Sequence, residues 1–325
     1  MTIAEQLSAL SAILAQRSIH SLFQPIVCLR ERRVHGHEAL SRGPSNSPLH
    51  SPLTLFAIAR QAGRLTELEA VCRESACRGF SAQHLEGKLF LNISPESLLE
   101  PHYPSGRTLK LLEQMGIAPS RVVIELTEQT PTDDIQLLSN ALHHYRDMGF
   151  SIALDDLGAG YSSLRLWSEL RPEYVKIDRH FIDGIHHDPL KREFVGSILQ
   201  IARAANTQVI AEGIELPEEL AVLTDMGINL VQGHLLGRPQ ALGVRADQRL
   251  LAQVLPAALM QQPTVRLNAT LGQIMELFGR HEELTTLQIQ APDGTHCGVI
   301  HRDALSVLAF ECPPPMAGNA QACAG

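Results

Sequence analysis

The segment Ile152-Ala153-Leu154-Asp155-Asp156 is a short apolar run that ends in two adjacent carboxylates. Short apolar runs are typical of buried strands, and five others in this chain also end at or carry a polar residue. They are residues 89–91 before Asn92, 122–124 before Glu125, 174–177 around Lys176, 209–211 before Glu212 and 228–231 before Gln232. The repetition indicates one structural unit used several times.

Amphipathic segments separate these runs. Residues 133–148 and 190–205 carry apolar residues at helical spacing, which predicts helices between the strands. Alternating strands and helices predict a parallel sheet, and continuously apolar strands predict that the sheet is covered on both faces. We therefore predict an α/β fold with a (β/α)8 TIM-like barrel, in which the carboxyl ends of the strands meet at one rim.

Helix caps and a doubly wound sheet account for the pattern less well. Each polar strand end, taken alone, is better interpreted as a helix cap or a turn residue. Six in succession make that interpretation poor, because Glu and Lys are not preferred caps. A doubly wound sheet also alternates strands and helices, but it gathers fewer strand ends at one place.

Composition limits the class of protein. The 325 residues accommodate one barrel of about 250 residues and a smaller neighbour. A net charge of -8 argues against binding to a long nucleic acid. The cysteines form no CxxC pair, and residues 1–16 contain no basic residue and no long apolar run. We therefore expect a cytoplasmic protein without a secretion signal or membrane insertion.

The polar strand ends form a strongly acidic set. It consists of Glu125, Asp155, Asp156 and Glu212, with the amides Asn92 and Gln232. Like charges at close range oppose one another's ionisation, so the set needs a compensating cation. Oxygen ligands without nearby Cys or His favour Mg²⁺ or Mn²⁺ over Zn²⁺. Adjacent Asp155 and Asp156 can serve two ions, an arrangement that recurs in phosphoester hydrolysis.

Lys176 is the only cation in this set of strand-end residues. Neighbouring carboxylates favour its charged form, whereas burial beside metal cations favours its neutral form, so its protonation state stays open here. We expect it to orient or deprotonate the attacking water, or to neutralise a phosphate. The alternative is a structural salt bridge across the barrel rim.

Stretches spread in order over residues 18–240 extend this pattern. The first two are Phe23-Gln24-Pro25-Ile26-Val27 and Gly36-His37-Glu38-Ala39-Leu40-Ser41-Arg42. The others are Asn92-Ile93-Ser94, Glu125-Leu126-Thr127-Glu128, Asp155-Asp156-Leu157-Gly158-Ala159-Gly160-Tyr161-Ser162-Ser163-Leu164, Val175-Lys176-Ile177-Asp178, Ala211-Glu212-Gly213-Ile214-Glu215 and Gln232-Gly233-His234-Leu235-Leu236-Gly237-Arg238-Pro239. Together they resemble the motifs of EAL-domain cyclic di-GMP phosphodiesterases, and the ordered set is very specific.

This resemblance implies hydrolysis of one phosphodiester of cyclic di-GMP to linear pGpG, with two Mg²⁺ or Mn²⁺ ions. The implied metal ligands are Glu38, Asn92, Glu125, Asp155 and Asp156. The implied catalytic groups are Lys176, Glu212, Glu38 and Asp156. The implied substrate contacts are Gln24, Arg42, Gln232, Glu215 and Asp178. Glu128 resembles a glutamate that tethers the loop 157–164, and because this loop connects to the dimer interface in the family, a homodimer is implied.

The chain departs from the family pattern after the paired aspartates. Family members usually have Phe-Gly-Thr-Gly there, whereas Leu157 and Ala159 occupy the first and third of these positions. Neither position matches a metal ligand, and every matching ligand position is retained, so we expect an active enzyme. The alternatives are a catalytically silent cyclic di-GMP receptor and a protein-interaction scaffold with a vestigial acidic rim.

The carboxyl-terminal part differs from the barrel. We predict an EAL phosphodiesterase domain over residues 1–245 and a helix and linker over 246–262. The order strand, helix, strand, turn, strand, helix over 263–310 resembles one half of a CBS module. Residues 311–325 are rich in Pro, Gly and Ala and are predicted to be disordered. In similar proteins such a segment precedes a GGDEF domain, which implies a GGDEF or other signalling partner and either a fragment or a shortened relative.

Overall fold

The structure is a computed structural model that describes residues 2–99, 105–127, 135–158, 163–243, 264–280, 286–291, 296–302 and 305. These residues fall into two compact units, a barrel and a smaller C-terminal unit. In the described part of the chain, no helix combines the length and the hydrophobicity that a bilayer crossing requires.

Eight strands build the barrel. They are β1 (His20–Cys28), β2 (Arg33–Arg42), β3 (Lys88–Asn92), β4 (Val122–Thr127), β5 (Ser151–Leu157), β6 (Tyr174–Ile177), β7 (Gln208–Ala211) and β8 (Leu230–Val231). The helices described with them are α1 (Ile3–Gln16), α2 (Pro52–Gln61), α3 (Leu65–Ala82), α4 (Pro95–Leu98), α5 (Ser105–Met115), α6 (Ile135–Asp147), α7 (Ser163–Leu170), α8 (Arg179–Ile182), α9 (Pro189–Ala205) and α10 (Pro217–Asp225).

The strands close in sequence order into a barrel, which confirms the predicted eight-stranded α/β architecture. The prediction of a wholly parallel sheet is wrong for one strand. From β2 to β8, each neighbouring pair of strands is parallel, but β1 is antiparallel to both β2 and β8. Only residues 29–32 connect β1 to β2, and so short a connection makes a hairpin, because a parallel pair needs a crossover of a dozen or more residues.

An apolar layer fills the barrel interior. It consists of Ile26, Cys28, Phe90, Val123, Ala153, Tyr174, Ile210 and Leu230, contributed by seven of the eight strands. Strand β2 has Gly36 near this layer, where a Cβ atom would lie 2.9 Å from the Phe90 ring and 2.6 Å from the Lys88 carbonyl oxygen. The missing side chain therefore leaves room for Phe90.

A polar layer lies next to this apolar layer because strand side chains alternate between inside and outside. On the strands that run in the common direction, the residue two positions after each apolar residue also points inward. These pairs are Phe90 and Asn92, Val123 and Glu125, Ala153 and Asp155, Tyr174 and Lys176, Ile210 and Glu212, and Leu230 and Gln232. In the reversed strand β1, Gln24 instead comes two positions before Ile26.

The C-terminal unit has three strands and one described helix. They are β9 (Thr264–Arg266), α11 (Leu271–Arg280), β10 (Thr286–Gln290) and β11 (His296–His301). β10 is central, parallel to β9 and antiparallel to β11. Its core is formed by Val265, Ile274, Phe278, Leu287 and Leu305. Four predicted features lie outside the described residues: the helix and linker at 246–262, the turn between β10 and β11, most of the last helix and the tail at 311–325.

Candidate active site and metal centre

Lys176 lies at the centre of an acidic cluster built by five strands. Its Nζ atom is 2.7 Å from Glu212 Oε1, 3.0 Å from Glu125 Oε1, 3.1 Å from Asp155 Oδ1 and 3.3 Å from Glu38 Oε2. The lysine side chain is only 1% exposed. The structure therefore brings together four carboxylates and one ammonium from strands or strand ends that are far apart in the chain.

Burial and mutual repulsion set the protonation of this cluster. Burial raises the pKa of Glu125 and of Glu212 well above the ordinary value, and nearby carboxylates add to the effect. Burial also opposes ionisation of Glu38, but Lys176 and hydrogen bonds from two amides outweigh it and lower the pKa of Glu38. Burial disfavours the ammonium form of Lys176, yet the surrounding carboxylates raise its pKa well above the usual range. Lys176 is therefore charged in this arrangement.

Two amide side chains hold Glu38 in place. Asn92 Nδ2 donates a hydrogen bond to Glu38 Oε1 at 3.0 Å, and Gln232 Nε2 donates to Glu38 Oε2 at 2.7 Å. Gln232 Nε2 also lies 3.2 Å from Gln24 Oε1, and Gln24 in turn donates to the carbonyl oxygen of Gly237. These hydrogen bonds join β1, β2, β3 and the end of β8 around one carboxylate.

A local backbone distortion brings Asp156 to the same rim as Asp155. In a regular strand these neighbours would face opposite sides of the sheet. The pairing of β5 with β6 shifts register after Leu154, and Asp156 has a left-handed φ of 56°. Asp is one of the residue types that tolerates this conformation. Both carboxylates consequently line one cavity, and burial together with Asp155 raises the pKa of Asp156 to about 6.

The cavity above the cluster has a volume of about 340 Å³. The predicted site residues that line it are Gln24, Glu38, Asp155, Asp156, Lys176, Asp178, Glu212, Glu215 and Gln232. Glu125 lies beneath them and is fully buried. The substrate contact predicted at Arg42 lies apart from this set, in a neighbouring cavity of about 170 Å³ that Asn92 also lines. Glu128 lies outside the described residues.

The structure adds two lining residues that the sequence motifs do not single out, Arg179 and His234. Arg179 Nη1 and His234 Nδ1 lie 3.0 and 3.2 Å from the same oxygen of Glu215. Arg179 comes directly after the predicted contact Asp178, and His234 lies two residues after Gln232, inside the motif over residues 232–239. Proximity in sequence to these predicted contacts is the signal that could have pointed to the two side chains.

The acidic cluster fits divalent cations. Oxygen atoms of Glu38, Glu125 and Asp155 lie within 4.8 Å of one another, and so do oxygens of Asp155, Asp156 and Glu212. Asp155 belongs to both groups and is suited to bridge two ions. Apart from the ion pair with Lys176, neither oxygen of Glu125 has a hydrogen-bond partner among the described residues, although Glu125 is fully buried. One ammonium cannot neutralise five carboxylates, and oxygen-only donors suit hard divalent ions.

Known proteins are similar to this chain in sequence. The EAL domain model matches residues 7–239. The cyclic di-GMP phosphodiesterase NbdA of Pseudomonas aeruginosa is 32% identical over 228 residues, which cover 67% of this chain and 28% of NbdA. The chain spans less than half the length of the curated relatives it matches.

Solved structures agree with the sequence matches. A standalone versatile EAL protein from Vibrio cholerae O395, solved in a c-di-GMP bound form, gives a TM-score of 0.62 at 27% identity and covers 68% of this chain and 92% of that chain. The manganese/cy-diGMP complex of Klebsiella pneumoniae BlrP1 gives 0.64 at 31% identity, with coverages of 69% and 56%. With its closed barrel, its acidic rim and these matches, the chain belongs to the EAL domain family.

Proposed function

We propose that the barrel is a metal-dependent phosphodiesterase that hydrolyses cyclic di-GMP to linear pGpG. The observation that carries this proposal is the acidic cluster at the rim of an EAL barrel, in which four carboxylates surround one buried lysine and Asp156 adds a fifth carboxylate beside Asp155. The substrate is supported by the name of NbdA and by the nucleotide bound in the Vibrio and Klebsiella structures.

Two divalent cations are part of the proposal. Glu38, Asn92, Glu125 and Asp155 would hold one ion, and Asp155 with Asp156 would hold the other. Such ions lower the pKa of a bound water and stabilise charge on a phosphodiester. The oxygen donors suit Mg²⁺ or Mn²⁺, and BlrP1 has been solved as a calcium/cy-diGMP complex and as a manganese/cy-diGMP complex.

Lys176 and Glu212 are the proposed proton-handling pair, together with Glu38 and Asp156 at the reacting centre. The Nζ atom and Glu212 Oε1 are 2.7 Å apart and face the cavity. Lys176 would orient the attacking water while a carboxylate accepts its proton. The water oxygen bonds to phosphorus, one ester bond to a ribose oxygen breaks, and the released oxygen takes up a proton. The product is a linear dinucleotide with a terminal phosphate.

The substrate contacts remain proposals for individual side chains. Gln24, Gln232, Asp178 and Glu215 line the cavity and offer donors and acceptors for the nucleotide. Arg42 would contact a phosphate from the neighbouring cavity. Glu128 is proposed to tether the loop that follows Asp156.

A turnover assay tests the function. Purified protein with Mn²⁺ or Mg²⁺ should convert cyclic di-GMP to pGpG, EDTA should stop the reaction, and Glu38→Ala should abolish it because the variant lacks a carboxylate at the centre of the cluster. Glu96→Gln is the matched control, since it removes a carboxylate from a surface ion pair with Arg60. A folded protein that turns over no cyclic di-GMP with either metal would refute the proposal.

The catalytically silent receptor is the second candidate, motivated by Leu157 and Ala159. Leu157 is 2% exposed, pairs with Ile177 in the β5–β6 ladder and is not among the described residues that line the active-site cavity. This position supports retained chemistry. Calorimetry that finds tight binding, together with nucleotide recovered unchanged after long incubation with metal, would favour the receptor.

A homodimer is proposed through α9. This helix exposes Leu190, Phe194 and Ile201, whose side chains are 64%, 50% and 40% accessible. Their spacing of four and seven residues places them along one side of the helix. Phe181 packs on Phe194 with ring centroids 5.6 Å apart, and a Cβ atom on Gly158 would lie 2.2 Å from the Phe181 ring. Gly158, two residues after Asp156, is therefore next to Phe181, which packs against the exposed side of α9.

Sedimentation velocity tests the dimer. Phe194→Asp should shift the protein to a monomer, because an ionised group disfavours burial in an apolar interface. Leu53→Asp is the control, since Leu53 is 85% exposed on α2. A monomeric wild type, or a Phe194→Asp variant that remains dimeric, would contradict the proposal.

The remaining proposals concern the domain boundaries, a signalling partner and the cellular location. We propose that residues 1–245 form the catalytic domain, 246–262 a helix and linker, and 263–310 a CBS-like half module, which the order β9, α11, β10, β11 supports. A GGDEF or other signalling partner follows from the same resemblance. Cys28, Cys72 and Cys77 are buried and form no disulfide, which supports a cytoplasmic location. Fluorescence microscopy of a tagged chain tests the location.

A further inference from the structure

Arg179 is an arginine on the wall of the active-site cavity that neither the motifs nor the proposed reaction uses. It follows Asp178 at the start of α8. Among the described residues that line this cavity, Lys176 and Arg179 are the two with a lysine or arginine charge. The other ionisable lining residues are carboxylates and His234. The cavity wall therefore offers few positive groups to a polyanionic ligand.

Lys176 is already engaged with the cluster. Four carboxylates lie within 3.3 Å of its Nζ atom, and its side chain is buried. By contrast, the Arg179 side chain is 53% exposed, and its ion pair is with the half-exposed Glu215. A ligand phosphate that enters the cavity can therefore reach the Arg179 guanidinium more readily than the Lys176 ammonium.

The Arg179 side chain is held in position at both ends. Its guanidinium lies 3.0 Å from Glu215 Oε1, which His234 Nδ1 also approaches to 3.2 Å. Its aliphatic part packs over Gly213, where a Cβ atom would lie 2.4 to 2.9 Å from three carbon atoms of Arg179. Gly213 therefore leaves a space that the arginine fills. An arginine ordered in this way loses less side-chain entropy when it binds a ligand.

We propose that Arg179 binds the phosphate of cyclic di-GMP that is not hydrolysed. The inference rests on the proposed function, because it takes the reacting phosphate to lie over the acidic cluster. The second phosphate of the ring then needs its own positive partner. The planar guanidinium fork matches phosphate oxygens. Arg42 lies in the neighbouring cavity, which meets this one at Leu40, so the two arginines suit a ligand with two phosphates.

Calorimetric titration of cyclic di-GMP in Ca²⁺ tests this role apart from turnover. Arg179→Gln should raise the Kd about tenfold, equivalent to about 1.4 kcal/mol. Arg179→Lys should give a smaller increase, because it keeps the charge and loses the fork. The matched control is Arg78→Gln, which removes the same charge from a surface pair with Glu74 on α3. It should leave the Kd within about twofold, because Arg78 is not among the residues that line the cavity.

A comparison of substrates in Mn²⁺ provides the second readout. The second substrate is bis(p-nitrophenyl) phosphate, which has one phosphate and therefore no group for Arg179 to bind. In Arg179→Gln, kcat/KM for cyclic di-GMP should fall about tenfold relative to kcat/KM for this substrate, mostly through an increase of KM. Thermal unfolding confirms that each variant is folded. If Arg179→Gln unfolds, the Arg179→Lys titration decides.

The two proposals can fail separately. Wild-type protein that binds cyclic di-GMP and never cleaves it refutes the phosphodiesterase, while the Kd series still tests Arg179. A Kd in Arg179→Gln within twofold of the wild type, or an equal change in Arg78→Gln, overturns the role of Arg179. Wild-type protein that does not bind the nucleotide overturns both.

Discussion

Replacement of Lys176 by Met tests how the acidic cluster is held together. Methionine is unbranched like lysine and of similar length, so the substitution keeps the apolar stem in β6 and removes the charge that four carboxylates surround. Without a metal, those carboxylates then face one another in a buried site. We expect Lys176→Met to unfold at a lower temperature than the wild type in EDTA.

The contact distances give the size of this effect. At about 3 Å and an effective dielectric constant of about 20, one such ion pair contributes about 5 kcal/mol before desolvation. The desolvation of the ammonium offsets much of the sum over four pairs, and the loss of one partner from a buried pair costs about 3–5 kcal/mol in measured cases. For a domain of this size, that loss lowers the unfolding temperature by roughly 10 °C.

Divalent cations should replace much of this lost stabilisation. If Mn²⁺ binds the same carboxylates, it neutralises the repulsion that Lys176→Met exposes, so the difference in unfolding temperature should shrink to less than half. Turnover should stay lost, because the metal does not replace a group that acts on the water. Differential scanning calorimetry in EDTA and in excess Mn²⁺, with a parallel turnover assay, measures both effects.

Lys88→Met is the matched control. Lys88 also belongs to a barrel strand, but its Nζ atom donates to the Ser120 carbonyl oxygen at 3.0 Å, away from the cluster. The loss of this hydrogen bond should lower the free energy of unfolding by about 1 kcal/mol, and the decrease should be the same with and without Mn²⁺. If Lys176→Met and wild type unfold at the same temperature in EDTA, or if Mn²⁺ stabilises them equally, our account of the cluster is refuted.

Two further predictions concern the chain around the site. Gly158 has a φ of 103° and no room for a Cβ atom beside Phe181. Gly158→Ala should therefore lower the free energy of unfolding by about 1–3 kcal/mol and lower kcat. Gly63→Ala is the control and should leave kcat unchanged, because Gly63 has open space around it. Burial raises the pKa of Glu219, but hydrogen bonds from backbone N–H groups of two rim loops outweigh burial and lower this pKa below the ordinary value of 4.5. The ionised Glu219 therefore stabilises the folded protein above pH 4.5, and this contribution is lost as the pH falls through the lowered pKa. Thermal unfolding should find Glu219→Gln about 1–3 kcal/mol less stable at pH 7 and nearer to wild type below pH 4.5, and a difference that grows on acidification would contradict this.

The sequence predicts most of the barrel because six of its eight strands, β3 to β8, are short apolar runs that carry a polar residue at or near the end. The reversed direction of β1 is not predicted, because the apolar content of a strand does not reveal its direction. Only the four-residue connection to β2 indicates that the two strands form an antiparallel hairpin. The pattern of polar strand ends does not predict Glu38 either. It lies inside β2, several residues before the strand ends at Arg42, so only the family motif points to it.

Other parts of the site depend on backbone geometry and on contacts between loops. The left-handed φ of Asp156 turns its carboxylate toward Asp155, and alternation along a strand would have placed it on the outside. Arg179 and His234 meet at Glu215 because the loops after three strands converge at one rim. Contacts of this kind are set by tertiary packing, which the local pattern of residues does not encode.

Crystals grown with Mn²⁺ and cyclic di-GMP test the central claim most directly, through anomalous scattering at the manganese absorption edge. We predict two peaks in the cluster, one at the oxygens of Glu38, Glu125 and Asp155 and the other at those of Asp155 and Asp156, with a substrate phosphate next to both. A nucleotide bound with no anomalous peak at these carboxylates would contradict the claim that they exist to hold cations.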